Sequence, residues 1–343
     1  MEIHYIYNRI THHSYHSGYD QIVKHIKSNR VEDNVLHSIL NILPERFLAH
    51  LRKTAGPWYN SQALKKELQI IPNYIIRSNR IYHFLYGEDS YHYSGYFNLR
   101  KSNKNVVTFH HPSKKFDCIM PNKKHLKKID ALVVICSQQA NYFSNLVEGN
   151  KIHQVPHGID TEFFHPVKIE KKIEQKNCLF VGTHLRDFKT LKKVIEKVNC
   201  MKNKIHFTIV TDKQHFNELS GLENTHLLEK IREVELLNLY RESDVLLLPI
   251  TDCTANNTLL EAMACGLPII TNNVGGVRDY ANNKCAVFIE QGDADLMVAQ
   301  LIKLFNNDVL RKEMSSEARQ RAMQFDWKII ASRIKEIYKA LFI

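Results

Sequence analysis

The sequence predicts an α/β protein built of two Rossmann-like parallel-sheet domains, and three features predict it. Apolar runs of strand length alternate with helical stretches along the chain, the pattern of a parallel sheet flanked by helices. The alternation stops at a charged, patternless stretch over residues 166–176 and then restarts. Asp244-Val245-Leu246-Leu247-Leu248-Pro249-Ile250, a strand buried on both faces, runs through a polar loop and a short helix into Ile269-Ile270-Thr271.

In the first half, residues 2–7, 81–86, 106–110, 131–137 and 152–156 read as strands. Residues 19–27, 61–68 and 138–147 read as helices between them. In the second half the strands are 178–181, 205–210, 225–228 and 245–250, with helices over 190–199 and 234–242. The helix that begins near Leu259 ends near Cys265, because Gly266 can take the left-handed conformation and Pro268 cannot continue a helix. Residues 325–338 place apolar side chains at three- and four-residue steps, an amphipathic helix with Asp326 as its N-cap. The expected organisation is a first domain over 1–166, a linker over 167–176 and a second domain over 177–324. A helix over 325–343 then packs back on the first domain.

A chain of 343 residues has room for two such cores. Hydrophobic residues at 44% and charged residues at 24% exclude wholesale disorder. No apolar run reaches the roughly 18 residues that span a bilayer, and the first residues lack the pattern of a signal peptide, so a cytoplasmic protein is expected. The seven cysteines include no C-x-x-C pair and read as reduced thiols. The 19 histidines include no His-Glu-x-x-His spacing, so no metal is expected. The net charge of +11 calls for an anionic partner. Basic residues cluster at 101–104, 114–115 and 123–128, without an RNA-binding, zinc-finger or helix-turn-helix pattern. Two readings stay open, a solvated face and a peripheral patch for anionic lipid headgroups.

Ligands of open parallel sheets sit outside the carboxyl ends of the strands, which directs attention to residues 251–258 and Glu261. A carboxylate there can hold the vicinal hydroxyls of a ribose, or it can simply solvate its helix. In Val181-Gly182-Thr183-His184-Leu185-Arg186-Asp187-Phe188-Lys189, glycine allows close backbone approach, and Arg186 and Lys189 stand beside a helix start. Together they suit a diphosphate, or they are solvated cations. His110 closes an apolar strand and can contact a substrate hydroxyl or be structural. Gly18, in Ser17-Gly18-Tyr19-Asp20, offers a second glycine turn opening a helix. Asn256 and Asn257 can offer amides to a sugar or serve as ordinary loop and cap residues.

Together these segments resemble the retaining group 1 glycosyltransferases of GT-B fold, in which two Rossmann-like domains face each other across a cleft. The motifs that carry the resemblance are Glu261-Ala262-Met263-Ala264-Cys265-Gly266-Leu267-Pro268-Ile269-Ile270 with Gly275-Gly276, and Val155-Pro156-His157-Gly158-Ile159-Asp160-Thr161-Glu162-Phe163-Phe164-His165-Pro166. The second is similar to the family's PNGVDxxxFxP segment, with His157 where asparagine is usual. Val133-Val134-Ile135-Cys136-Ser137 matches its VxxxS strand.

The resemblance implies a nucleotide-sugar donor, a saccharide or lipid-linked acceptor, no metal, and transfer with retention. It gives Glu261 the donor ribose, Lys189 the diphosphate, His110 the neighbourhood of the transferred sugar, and Gly18 and Gly182 the phosphates. Arg186 is a displaced candidate for the family's arginine, because Thr183 follows the glycine directly. The first acid of the family's Glu-x(7)-Glu is replaced by Cys253, with Asp252 beside it. Asp252, or Asn256, Asn257 and Thr258 with their backbone, then hold the sugar. Two other function classes remain: another nucleotide-sugar enzyme such as a 2-epimerase, and a non-catalytic basic protein that binds membrane or nucleic acid.

Overall fold

A computed structural model of the chain describes residues 2–7, 15–30, 44–53, 55–99, 102–167, 176–201 and 204–343. It divides into two compact units. The first comprises Met1–His13, Gly18–Gly158 and Trp327–Ile343, and the second Ser14–Ser17 and Ile159–Asp326.

The first unit contains a sheet of six parallel strands, β1 (Glu2–Ile6), β2 (Asn29–Arg30), β3 (Arg80–Phe84), β4 (Lys104–Phe109), β5 (Ala131–Val134) and β6 (Ile152–Gln154). Their order is β2-β1-β3-β4-β5-β6. The strand order reverses at β1 and β3, the place where such sheets bind ligands at their carboxyl ends. Ala131, Leu132, Val133 and Val134 are all fully buried, as a strand covered on both faces requires.

The helix Trp327–Ala340 belongs to this unit. Its Tyr338 hydroxyl lies 2.5 Å from Nδ1 of buried His83 and donates to the Tyr5 hydroxyl at 3.3 Å. Burial pushes the His83 pKa down to about 3, so the ring is a neutral partner in this chain of hydrogen bonds.

The second unit also has six parallel strands, β7 (Lys176–Val181), β8 (Ile205–Val210), β9 (Thr225–Leu228), β10 (Val245–Leu248), β11 (Ile269–Asn272) and β12 (Ala286–Ile289). Their order is β12-β11-β10-β7-β8-β9, the doubly wound arrangement with its switch point between β7 and β10. The two-residue period splits these strands between two cores. Leu179, Val181, Leu246 and Leu248 enter one, and Cys178, Phe180, Val245 and Leu247 the other.

Several local expectations change. Residues 19–24 form a 3-10 helix, Tyr19–Lys24, opened by Gly18 at φ 101°. The helix begun at Ser61 continues to Ile76 with Pro72 inside it, because its later turns bury Ile70 and Tyr74. β2 and β12 were not anticipated, being short and weakly patterned.

The units divide at Gly158, whereas the sequence suggests a first domain running to Pro166. Ile159 and Phe164 are buried in the second unit's core, and Arg319 donates to the carbonyls of Phe164 at 2.8 Å and Thr161 at 3.1 Å. Residues 168–175 of the expected linker lie outside the described residues.

Gly158 packs flat against Trp327, which is 1% exposed, and a Cβ at 158 would lie 2.3 Å from the indole. Gly158→Ala should therefore destabilise the protein by about 1–3 kcal/mol through overpacking. Gly149→Ala, whose added Cβ meets nothing within 4 Å, should cost less than about 0.5 kcal/mol. Urea denaturation midpoints of the two variants check this, and equal losses would refute it.

Candidate functional site

At the second unit's switch point, the loop after β7 is tied to the loop after β10. The backbones of Arg186 and Ile250 pair antiparallel, Asp187 N–H donates to Pro249 O at 2.9 Å, and Thr251 N–H donates to Leu185 O at 2.9 Å.

The Arg186 side chain folds back over this junction. Its Nε donates to Val181 O at 2.9 Å, Nη1 to His184 O at 3.1 Å and Nη2 to Thr258 Oγ1 at 3.0 Å. Gly182, at φ 104°, makes room for it, since a Cβ there would lie 2.5 Å from Nη2. Burial pulls the Arg186 pKa down to about 10, opposed by Tyr240, Cys253 and the Glu261 carboxyl, so the group stays cationic at neutral pH. Thr183, which follows the glycine, instead meets Thr211 Oγ1 at 3.1 Å.

Lys189 lies in the first turn of the Phe188–Cys200 helix, which Asp187 caps by accepting from Thr190 N–H at 3.0 Å. It is exposed and, among the described residues, has no hydrogen-bond or ion-pair partner. A cation and unpaired helix N–H groups thus share one edge, a setting suited to phosphate.

The Asn257–Ala264 helix carries Thr258 and Glu261. Asn256 is its N-cap, accepting from Leu259 N–H at 3.2 Å, so its amide oxygen already serves the backbone. Asn257 is the first helical residue and half-buried. The helix stops as the sequence indicates. Gly266 takes φ 74°, its N–H donates to Met263 O at 3.0 Å, and Leu267 N–H donates to Ala262 O at 2.9 Å. Arg319 adds a bond to Ala264 O at 2.8 Å.

Glu261 is 5% exposed. Oε1 accepts from Ser17 Oγ at 2.5 Å and Oε2 from Tyr240 OH at 2.8 Å. Burial pushes its carboxyl above the usual range, and those two hydroxyls with Arg186 oppose the rise. Ser17 arrives on a segment fastened to the same unit. The N–H groups of Tyr15 and His16 donate to Glu233 at 3.2 and 2.9 Å. The His16 ring stacks on Phe163 at 3.8 Å, and its Nδ1 lies 2.6 Å from Asp160.

The loop before the helix turns inward. Asp252 accepts from Cys253 N–H at 2.8 Å, and Cys253 is buried in the apolar core with Sγ 4.0 Å from Val274 O. Gly276 N–H donates to Cys253 O at 2.9 Å. A Cβ on Gly275 would lie 2.0 Å from that carbonyl. The structure therefore brings Gly182, Arg186, Thr258 and Glu261 together around the switch point, and turns Cys253 away into the core.

Gly18 and His110 lie in the first unit. His110 follows β4 and is half-buried, its Nε2 2.7 Å from Leu85 O. Its ring packs against Tyr19 and Tyr86, each at 4.8 Å. The N–H groups of His110 and His111 donate to one oxygen of Glu88 at 2.9 and 3.1 Å. Burial, then the neighbouring charge of Asp89, push the Glu88 pKa up to about 8, against the pull of those N–H groups. Among the described residues, no group of three or more His, Cys, Asp or Glu side chains is placed to hold a metal ion.

Residues 175–307 match the family model for glycosyl transferases group 1. Two GT-B structures superpose on the chain. HepE from Anabaena, solved with UDP and glucose, covers 99% of this chain and 100% of its own at 12% identity and TM-score 0.70. Sucrose-phosphate synthase from Thermosynechococcus elongatus covers 82% of this chain and 78% of its own at 18% identity and TM-score 0.67. The chain has the GT-B fold, and its match to the group 1 glycosyl transferases is confined to residues 175–307.

Curated relatives of the chain include N-acetyl-alpha-D-glucosaminyl L-malate synthase of Bacillus anthracis, 25% identical over 62% of this chain and 60% of that protein. D-inositol 3-phosphate glycosyltransferase of Corynebacterium urealyticum is 27% identical over 36% of this chain and 33% of that protein. The chain thus spans between a third and three fifths of these relatives.

In the second unit, sequence reading missed Tyr240 and Ser17, which meet Glu261 only through the tertiary fold. Glu88 had a usable signal, a carboxylate pair with Asp89 just after an apolar strand and Gly87. A carboxyl whose folded pKa lies above its unfolded value stabilises the protein fully at low pH and loses that stabilisation as pH rises. For Glu88 the loss should run from about 4.5 to about 8. Half-buried Asp89, raised to about 6 by desolvation, adds to the same slope. Glu88→Gln should flatten much of the decline in urea stability across that window, and an unchanged slope would show that Glu88 titrates normally.

Proposed function

We propose that the protein is a retaining glycosyltransferase that moves a sugar from a nucleotide-sugar donor to a saccharide or lipid-linked acceptor, in cell-surface polysaccharide or glycoconjugate synthesis. The carrying observation is the convergence at the β7–β10 switch point of Arg186, bonded to Thr258, and buried Glu261 on the same helix, inside the segment that matches the group 1 family. Glu261 accepts one hydroxyl on each carboxylate oxygen, the pattern with which a carboxylate holds the two hydroxyls of a ribose. Ribose binding then exchanges the Ser17 or Tyr240 hydroxyl for one of its own.

The donor diphosphate sits at Gly182, Arg186 and Lys189 with the start of the Phe188–Cys200 helix. Arg186 is already held by three acceptors, so its charge stands in place before reaction and needs little reorganisation as the leaving diphosphate gains charge. The diphosphate itself takes the acceptor hydroxyl's proton, and no protein nucleophile enters. Cys253 in the core and Asp252 bonded to the Cys253 N–H support that reading. Asp252, Asn256, Asn257 and Thr258 line the sugar end. No metal is required in this scheme, because Arg186, Lys189 and the helix terminus carry the positive charge. The protein works in the cytoplasm at the membrane face, where exposed Lys114, Lys124, Lys127 and Lys128 meet anionic lipid.

Nucleoside diphosphates and nucleotide sugars should raise the melting temperature by mass action. No shift with any of them would sink the proposal. Lys189→Ala and Glu261→Ala should each weaken nucleotide binding or turnover about tenfold or more, a loss of at least about 1.4 kcal/mol. Cys253→Ala should change it much less. Gly182→Ala should act like loss of the arginine, because the added Cβ displaces Arg186. Titration calorimetry on the four variants orders them, and a Cys253→Ala loss equal to that of Glu261→Ala would contradict the scheme.

A further inference from the structure

Trp58 is 50% exposed, whereas the chain's other tryptophan, Trp327, is buried. Its exposed ring is carried by neighbours that cannot easily move. On one side Gly56, at φ 103°, presses so closely on the Ile119 carbonyl that a Cβ would lie 1.9 Å from it. On the other, buried Tyr59 donates to Glu67, which also accepts the backbone N–H groups of His92, Tyr93 and Ser94 at 2.9 to 3.1 Å. An apolar ring fixed at the surface in this way is preorganised for a flat partner.

The Trp58 ring lies 4.8 Å from that of His111, the residue after His110. His111 in turn lies against Glu88, with Nε2 3.8 Å from Oε1. Glu88 is 5% exposed, and its Oε2 has no hydrogen-bond partner among the described residues. A buried carboxyl oxygen without a partner is costly unless something supplies one.

We propose that Trp58 and His111 form a saccharide subsite on the first unit, in which a pyranose of the acceptor stacks on the indole and offers a hydroxyl to His111, with buried Glu88 as a positioning residue behind the imidazole. A pyranose has one face of C–H groups and a rim of hydroxyls, which matches an exposed aromatic ring beside an imidazole. This inference rests on the glycosyltransferase reading and places the acceptor, as a sugar, beside His110.

The test uses iodide quenching of tryptophan fluorescence, which reports on Trp58 because Trp327 is buried. Maltose, lactose and N,N′-diacetylchitobiose are the probes, each at millimolar concentration, with the UDP-induced melting shift measured in parallel. At least one disaccharide should shield Trp58 from iodide without nucleotide present. Calorimetry should show that disaccharide bound about tenfold more weakly by Trp58→Ala and by His111→Ala, with Trp58→Phe restoring most of the affinity. All three variants should keep the wild-type UDP shift, which shows that they are folded. If no disaccharide shields Trp58, or if Trp58→Ala binds as well as wild type while the UDP shift persists, the subsite is wrong and the donor site stands. A missing UDP shift in the wild type would overturn the donor reading and, with it, the assignment of any bound sugar as acceptor.

Discussion

The second unit is organised around one buried carboxylate. A charge removed from water must find donors in the protein or give up its ionisation, and Glu261 finds two, Ser17 and Tyr240, with Arg186 close enough to attract it. Each partner arrives on a different piece of chain. Tyr240 comes from the Glu233–Glu242 helix before β10, Ser17 from the segment held by Glu233 and Asp160, and Arg186 from the loop after β7. Satisfying a single side chain thereby fixes the mutual positions of three segments at the strand ends.

The same economy governs the cation. A guanidinium has five N–H groups, and half-buried Arg186 directs three of them to two backbone carbonyls and the Thr258 hydroxyl. This arrangement works only because residue 182 has no side chain. Gly182 is thus a requirement of the arginine, whose guanidinium occupies the space a Cβ would need, as well as of a turn with positive φ. On the proposed reading, a glycine that lets a phosphate approach the backbone and a glycine that admits the arginine are the same residue.

What the sequence discloses follows from the range of the forces involved. The Asn257–Ala264 helix, its stop at Gly266 and the strand after it are local matters of backbone freedom and apolar period, and all three are legible by inspection. The strands β8 and β9 are legible to the residue for the same reason. The segment after Gly18 is apolar enough to suggest an α-helix, yet it winds as 3-10, a choice made by tight packing of Tyr19 between His110, His157 and Trp327. The division at Gly158 was equally hidden, because the affinity of Ile159 and Phe164 for the second unit's core has no local signature. Tyr240 and Ser17 are ordinary residues in sequence and become site residues only through contacts 21 and 244 positions away.

Position 253 shows how a loop and its side chain constrain one another. The backbone there is clamped by Gly275 and Gly276, so closely that no side chain could replace the hydrogen at 275, and the clamp directs residue 253 into a cluster with Leu259, Leu260 and Val277. A carboxylate in that position would face several kcal/mol of desolvation in this apolar setting. Cysteine, small and weakly polar, fits without cost. Cysteine at 253 and the inward turn of the loop therefore go together. On the proposed reading, an acid placed at 253 would have to move the loop before it could reach a sugar, while Asp252 one residue earlier already stands nearer the solvent, held by the Cys253 N–H.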